Sequence, residues 1–244
     1  MEKFKSYTTE AKEEKYKLLI LSHDDPFDPN ETGPMVRKKA SELGIEVYLA
    51  EFSGMYMEDK GKDQLIYSFP VDDKGQVELP GMKDDVEYDK PFRINPENTL
   101  VMARGIGSTV KTGNLSWRVA CLNLESQGYT LINPVICHDI CNDKWYNQIV
   151  FQQSDIRTPN TVLVRHSEGA EDAAKRLGNK FPMILKTAVG SRGVGVIWIE
   201  SLKSLHSIIQ LLHREDEYVD VLLQEFIKTD YDVRVIIAAG EILG

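Results

Sequence analysis

The chain has 244 residues, a formal net charge of −9 from 38 acidic and 29 basic residues, and an apolar fraction of 42%. This length and composition suit a globular protein with one large or two small domains. The negative charge excludes nonspecific nucleic-acid binding over the whole surface, but not a local basic pocket for phosphates. No apolar run approaches the roughly 20 residues of a membrane span, so we expect no membrane partner.

The first 15 residues form a charged tail that lacks the apolar core of a secretion signal. Three cysteines without a disulfide framework suit a reducing cytoplasm, which is the predicted location. The pattern Cys137-His138-x-x-Cys141 offers part of a zinc site, but zinc needs four ligands and no second pair is nearby. A pair of half-buried thiols is the favoured interpretation.

The first half of the chain alternates strand and helix patterns, which predicts a parallel sheet with right-handed crossovers. Gly44 and Gly128 follow two of the helix patterns, where glycine is a natural helix stop. These elements predict an α/β domain over residues 16–134, interrupted by a polar excursion at 54–98. The predicted elements are 18–22, 35–43, 45–52, 99–103, 115–127 and 130–133.

Within the polar excursion, the segments 66–70 and 76–79 flank Asp72-Asp73-Lys74-Gly75, which predicts a hairpin turn. Residues 135–244 form the second predicted domain. One helix is expected over 139–153, carrying Lys144. The other elements expected there are helices at 168–177 and 202–213, strands at 161–164, 219–224 and 232–239, a turn at Gly240-Glu241 and a strand start at 242–244.

A glycine-rich hairpin lies in this second domain. An apolar strand delivers Lys186, the loop Gly190–Gly195 follows, and a second apolar strand covers 196–199. Walker and dinucleotide-binding loops instead open a helix. Glycines let main-chain N–H groups turn toward an anion, and a strand lysine adds a point charge. The alternative is a mobile hairpin with a surface lysine.

Five motifs follow one another in a fixed order: Asp143-Lys144-Trp145, Thr158-Pro159, Ile184-Leu185-Lys186 with its glycine loop, Gln224–Ile227, and Asp232-Val233-Arg234. This order resembles the ATP-grasp superfamily, and most of all its RimK-type ligases, which join an amino acid such as glutamate to a carboxylate. The resemblance implies an α/β (α+β ATP-grasp) fold, in which a parallel-sheet pre-ATP-grasp domain precedes an ATP-grasp domain.

The resemblance implies that ATP binds to residues of the second domain. Lys144 and Lys186 would hold the α- and β-phosphates, and the glycine loop would close over the β- and γ-phosphates. Main-chain groups of Glu225 and Ile227 would bind adenine. Asp232 would hold the ribose, because Lys228 stands where the family often has an acid. The cofactor-binding candidates are Lys144, Lys186, Gly190, Ser191, Arg192, Gly193, Val194, Gly195, Gln224, Glu225, Phe226, Ile227 and Asp232.

The resemblance also implies two catalytic candidates. Arg234 would face the γ-phosphate or the acyl-phosphate, because a guanidinium suits spread phosphoryl charge. Arg104, followed by Gly105 and Gly107, resembles the arginine loop that faces the acceptor substrate. Some of these assignments have a simpler alternative. Lys144 could be a surface lysine, and Asp232 and Arg234 could form a surface pair.

The implied reaction is ATP-dependent amide formation through an acyl-phosphate, with Mg²⁺ bridging the phosphates. The implied partners are ATP, an amino acid and a carboxylate, the last being a small acid or the end of a peptide or protein; a homo-oligomer stays open. Three alternatives also stay open: a nucleotide-binding module without catalysis, a ligase like glutathione synthetase, and a structural α/β protein.

In the family, the magnesium ligands follow the Asp-x-Arg strand as an acid and then a Glu-x-Asn pair. The sequence stops at Gly244, before any such residues. The resemblance therefore predicts an incomplete ATP-grasp domain, no metal ligands in residues 1–244, and weak or absent catalysis by these residues alone.

Overall fold

The structure is a computed structural model. Contacts between Cα atoms divide the chain into two units, Met1–Val135 with Ile236–Gly244, and Ile136–Val235. Several predictions lie outside the described residues: the charged tail, the turn at 72–75, the loop after Arg104, and Gly190, Ser191, Arg192, Gly193 and Val194. The described residues are 16–22, 32–52, 55–60, 63–69, 90–104, 115–189, 195–215, 217 and 219–244.

The first unit contains a four-stranded parallel sheet in the order β2-β1-β6-β7, which confirms the predicted α/β class. Leu19 and Leu21 of β1 pack in a core with Trp117 of α2. Ile20 of the same strand packs in a second core with Ala40 of α1. Helices therefore cover both faces, as a parallel sheet requires. The elements are β1 (Lys17–Ser22), α1 (Thr32–Glu42), β2 (Glu46–Glu51), β6 (Thr99–Ala103), α2 (Leu115–Ser126) and β7 (Thr130–Ile132).

The polar excursion forms a separate three-stranded antiparallel sheet in the order β3-β4-β5. The predicted strand at 66–70 begins earlier than expected, and its partners are the flanking strands. The predicted partner segment 76–79 lies outside the described residues. Neither β3 nor β5 was predicted, because Met55–Lys60 alternates weakly and Phe92–Ile94 has only three residues. The strands are β3 (Met55–Lys60), β4 (Asp63–Ser68) and β5 (Phe92–Ile94).

The second unit is built on an antiparallel sheet in the order β10-β9-β11-β8. Its core lies on one face, where Leu185 and Leu223 pack with Leu205 and Ile209 of α6. The predicted hairpin of β9 and β10 is confirmed, with Lys186 opposite Val196. The elements are β8 (Thr161–Val164), a 3₁₀ turn (Ser167–Gly169), α5 (Ala170–Arg176), β9 (Met183–Thr187), β10 (Val196–Ile199), α6 (Leu202–Glu215) and β11 (Val221–Glu225).

The prediction of one helix over 139–153 is wrong. Two helices occupy this part of the chain, α3 (Val135–Asn142) and α4 (Lys144–Gln153). Asp143 separates them because it adopts an extended conformation (φ −110°, ψ 112°) and its carboxylate accepts from the N–H groups of Trp145 and Tyr146. Aspartate at such an N-cap satisfies donors that lack a helical partner. Lys144 is therefore the first residue of a helix.

The predicted strand at 232–239 is also wrong, since only β12 (Ile237–Ala238) and β13 (Glu241–Ile242) are strands there. They pair with each other across Ala239 and Gly240, both at positive φ, one residue before the predicted turn. The run is rich in β-branched residues, but a strand also needs a neighbour to pair with. In the part of the chain that is described, no helix is long and apolar enough to cross a membrane.

Candidate functional site

The antiparallel sheet of the second unit has one face turned away from its core. Met183 and Leu185 of β9 are core residues, so the alternation of the strand places Ile184 and Lys186 on the opposite face. The register places Trp198 of β10 opposite Ile184 and Leu222 of β11 opposite Lys186, on the same face. We call this the open face.

Lys186 lies on the open face and is held by neutral groups. Its Nζ donates to Oε1 of Gln224 at 2.7 Å, and Nε2 of Gln224 donates to Oγ1 of Thr161 at 2.8 Å. These two bonds connect β9, β11 and β8. Burial lowers the pKa of Lys186, because burial disfavours the charged form. Within the described residues, no carboxylate pairs with Lys186, so its charge is available to an anion.

Lys144 lies close to Lys186. Its main-chain N–H donates to the carbonyl of Ala188 at 2.9 Å, and its Nζ donates to the carbonyl of Thr187 at 3.0 Å, in the residue that follows Lys186. Burial lowers the pKa of Lys144, the charge of Lys186 lowers it further, and Asp143 partly opposes both. The structure thus brings two lysines from different elements into one place where their charges repel.

The described end of the glycine loop is closely fitted to β9. Gly195 has a φ of +78°, and a Cβ atom there would collide with the side chain of Thr187. The main chains of these two residues also meet, since Thr187 N donates to the carbonyl of Gly195 at 3.0 Å. Only glycine fits this position without strain. The return of the loop into β10 is therefore fixed beside the two lysines.

The predicted adenine hinge begins where β11 ends. Glu225 is joined to Asn160 by two hydrogen bonds: its N–H donates to the Asn160 carbonyl at 3.0 Å, and its Oε1 accepts from the Asn160 N–H at 2.7 Å. The Asn160 main chain thereby lowers the pKa of Glu225. The rings of Phe226 and Trp198 pack edge to face, with their centroids 4.7 Å apart. Ile227 is 54% exposed. The Ile227 N–H makes no hydrogen bond within the described residues.

The remaining predicted residues are less firmly placed. Asp232 and Arg234 are exposed on irregular chain, and neither side chain has a hydrogen bond or ion pair among the described residues. Arg104 belongs to the first unit, where it follows β6. Its N–H donates to the Leu21 carbonyl at 2.8 Å, and its guanidinium reaches Oγ1 of Thr32 at 3.5 Å.

The described residues do not fit a metal. They contain no group of three His, Cys, Asp or Glu side chains arranged to hold one. Cys137 is half-buried, as predicted, but Cys141 is exposed because it lies near the end of α3. The Mg²⁺ that the resemblance implies therefore has no identified ligands here, and no chemical step below depends on it. The two partly buried ammonium groups of Lys144 and Lys186, by contrast, suit an anion such as a phosphate chain.

Several residues that shape this face were not among the predicted site residues. Asp143 starts the helix that carries Lys144, Thr161 and Asn160 anchor the end of β11, and Thr187 packs against Gly195. The aspartate before a helix pattern was a readable N-cap signal. The other three act across strands, and a single sequence does not show which strands are neighbours.

Comparison with known proteins gives consistent results. Residues 141–244 match the model of the RimK-like ATP-grasp domain. A coenzyme gamma-F420-2:alpha-L-glutamate ligase from Methanococcus maripaludis is 28% identical over 66% of this chain and 56% of its own length. A probable alpha-L-glutamate ligase from Histophilus somni is 31% identical over 60% of this chain and 49% of its own length. The chain thus spans about half the length of these curated relatives.

Solved structures share the fold. The RimK domain ATP-grasp protein from Sphaerobacter thermophilus covers 88% of this chain and 65% of its own length, with a TM-score of 0.56 and 16% identity. The N5-carboxyaminoimidazole synthetase from Staphylococcus aureus, solved as a complex with ADP, covers 88% of this chain and 48% of its own length, with a TM-score of 0.52 and 12% identity. At these identities the likeness concerns the fold alone.

Proposed function

We propose a function from the match of residues 141–244 to the model of the RimK-like ATP-grasp domain. The proposed activity is that of an ATP-dependent carboxylate–amine ligase. Its product is an amide between a carboxylate and an amino acid. The open face of the sheet in the second unit binds the ATP.

The observation that supports ATP binding is the pair Lys144 and Lys186. The two ammonium groups approach closely enough for the charge of Lys186 to lower the pKa of Lys144, and burial lowers both pKa values. Two partly buried cations close to one another attract an anion. A polyphosphate removes the repulsion between them, and the glycine loop returns to the sheet directly beside them.

The predicted site residues have proposed roles in binding ATP and its reaction partners. Lys144 and Lys186 hold the phosphates, and Gln224 keeps the Lys186 ammonium in position. The unbonded N–H of Ile227 donates to the adenine ring, while Phe226 and Trp198 provide apolar contact nearby. Asp232 is the proposed ribose contact. Arg234 and Arg104 remain the proposed contacts of the reacting groups.

The proposed reaction has two steps. An oxygen of the substrate carboxylate attacks the γ-phosphorus of ATP, the bond to the β-phosphate oxygen breaks, and an acyl-phosphate and ADP form. The amine then attacks the acyl carbon, inorganic phosphate leaves, and the amine loses a proton. Lysines and arginines favour the first step by neutralising phosphoryl charge and aligning the reactants.

Glutamate is the proposed amine substrate. The names of the relatives from Methanococcus maripaludis and Histophilus somni both contain alpha-L-glutamate ligase. The carboxylate partner is a small acid or the carboxyl end of a peptide or protein. The second candidate is a nucleotide-binding module without catalysis, favoured by one observation: the described residues contain no group that could hold a metal.

The test is ATP turnover in the presence of glutamate, a panel of carboxylates and divalent metal, by the protein with whatever sequence its gene encodes after Gly244. We expect ADP and phosphate to form in equal amounts with the amide, and only when both substrates are present, whereas residues 1–244 alone should show weak or absent turnover. Hydroxylamine in place of glutamate should give a hydroxamate, which reports the acyl-phosphate. Lys186→Met should abolish turnover, whereas Lys203→Met, at an exposed position of α6, should retain it. ATP binding by that protein without ADP formation would favour the binding module and contradict the ligase.

A further inference from the structure

A groove runs along β8, at the edge of the antiparallel sheet. Two cavities of about 330 Å³ each follow one another along this strand. Both are lined by Val162 and by Arg176, which lies at the end of α5. The first is lined mainly by polar residues such as Gln148 and Asn160. The second combines apolar residues such as Leu163 with Arg165, His166 and Asp172.

The main chain of β8 offers hydrogen-bonding groups to this groove. The Asn160 carbonyl accepts from Glu225 N, so residue 160 bonds inward to β11. Antiparallel pairing alternates, so Val162 and Val164 also bond inward, while the N–H and C=O groups of Thr161 and Leu163 point outward. No described strand pairs with that side of β8. An open edge of this kind is a template for a further strand.

The charges around the groove favour an acidic occupant. The Arg165 guanidinium pairs with Asp220 at 2.7 Å, and the His166 ring lies 3.3 Å from the Glu168 carboxylate. Asp172, the acid that lines the second cavity, pairs with Lys175 at 3.8 Å. Arg176, by contrast, makes no hydrogen bond or ion pair within the described residues, and it lies where the two cavities meet. A guanidinium in such a position binds a carboxylate with two parallel hydrogen bonds.

We propose that the β8 edge is a docking site for an extended acidic segment of a partner polypeptide. The segment adds to the sheet as a strand beside β8, and its main chain bonds to Thr161 and Leu163. One of its carboxylates pairs with Arg176. Six to eight extended residues match the length of β8 and its flanks, at about 3.3 Å per residue. This proposal does not rest on the ligase activity or on ATP binding.

The test uses an end-blocked octapeptide of alternating valine and glutamate, labelled for fluorescence anisotropy. We expect saturable binding, and slower hydrogen exchange at the Leu163 amide when the peptide is bound. The same peptide with every amide N-methylated should not bind, because it cannot donate main-chain hydrogen bonds. A valine–lysine octapeptide should bind more weakly, although the chain carries a net charge of −9.

Two variants complete the test. Arg176→Gln should weaken binding of the glutamate peptide about two- to fivefold, as expected for one exposed ion pair. Arg214→Gln, another arginine in the last turn of a helix, is the matched control and should bind normally. Leu163→Pro removes an outward N–H and should also weaken binding. Equal binding of the N-methylated or lysine peptides, or no change at the Leu163 amide, would overturn the proposal. ATP binding should be unchanged in Arg176→Gln, which separates this result from the proposed function.

Discussion

Two regions of residues 136–235 carry the predicted ATP contacts, and they differ in how firmly each is held. On the open face, Lys186 is tied to Gln224 and through it to Thr161, across three strands. Beyond β11, Asp232 and Arg234 stand exposed, with no side-chain bond within the described residues. The first region has its geometry before any ligand arrives. In the second region, Asp232 and Arg234 are not held by bonds among the described residues.

The largest expected difference concerns two glycines, Gly195 beside the open face and Gly240 in the turn between β12 and β13. Gly195 and Gly240 both have φ near +80°, but only at Gly195 would a Cβ meet a neighbour, the side chain of Thr187. Gly195→Ala should therefore lower the free energy of unfolding by about 2–3 kcal/mol, and Gly240→Ala by about 1 kcal/mol, from the positive φ alone. Urea unfolding measures both. Equal losses would show that the contact with Thr187 does not constrain the loop.

A smaller effect is expected for two aspartates. Asp143 accepts from two N–H groups of the first turn of α4, whereas Asp232 accepts from none of the described residues. Asp143→Ala should lower the free energy of unfolding by about 1 kcal/mol, the usual loss of an N-cap. Asp232→Ala should stay within about 0.5 kcal/mol of the parent. The pair is compared by thermal and urea unfolding, and a loss at Asp232 as large as at Asp143 would contradict the contrast between the regions.

The lysines also predict a pH effect on ATP binding. Burial lowers the pKa of Lys186 below its ordinary 10.5, and burial together with Lys186 lowers that of Lys144. Only the ammonium form attracts phosphate. ATP affinity should therefore decrease as the pH rises through the lowered pKa values, and this decrease should start before the pH reaches 10.5. ATP in turn raises these pKa values, so binding takes up protons in that window. Calorimetry in buffers of different ionisation heat measures the uptake, which Lys203→Met should leave intact. Affinity that stays constant up to pH 10.5 would contradict the account.

The smallest expected effect concerns Glu225. Its carboxylate accepts from the Asn160 N–H, which lowers its pKa. A lowered carboxyl pKa stabilises the fold above the ordinary value of 4.5, and this contribution disappears as the pH falls through the lowered pKa. Glu225→Gln should therefore make the loss of stability in acid slightly shallower. Glu200→Gln, at an exposed position after β10, is the control. If the free energy of unfolding depends on acid pH in the same way for both variants, the bond between Glu225 and Asn160 has no effect on stability.

The sequence predicted those parts of the fold that local patterns determine. The strand 161–164, the hairpin at Lys186 and the stops at Gly44 and Gly128 follow from apolar runs and glycines, and the structure confirms them. It also identified Lys144, Lys186 and Gln224 as one group, although only through the order of the motifs. The contacts of Gln224 with Lys186 and Thr161 depend on strand order, which no local pattern encodes.

The wrong predictions have the same origin. A helix over 139–153 was expected because apolar residues continue through Asp143, but the capping carboxylate ends one helix and starts another. A strand over 232–239 was expected because its residues are β-branched, but pairing decides whether such a run becomes a strand. Propensity reflects the residue types of a segment, but it does not show which segments pair with each other.

Calorimetric titration of ATP into the wild-type chain, Lys186→Met and Lys203→Met tests most directly whether the open face is the nucleotide site. We expect wild type and Lys203→Met to bind ATP with the same affinity. Lys186→Met should bind about 10- to 100-fold more weakly, since a charge-assisted contact contributes about 1.5–3 kcal/mol. No binding of ATP by the wild type, or equal binding by Lys186→Met, would contradict the assignment of the open face as the nucleotide site.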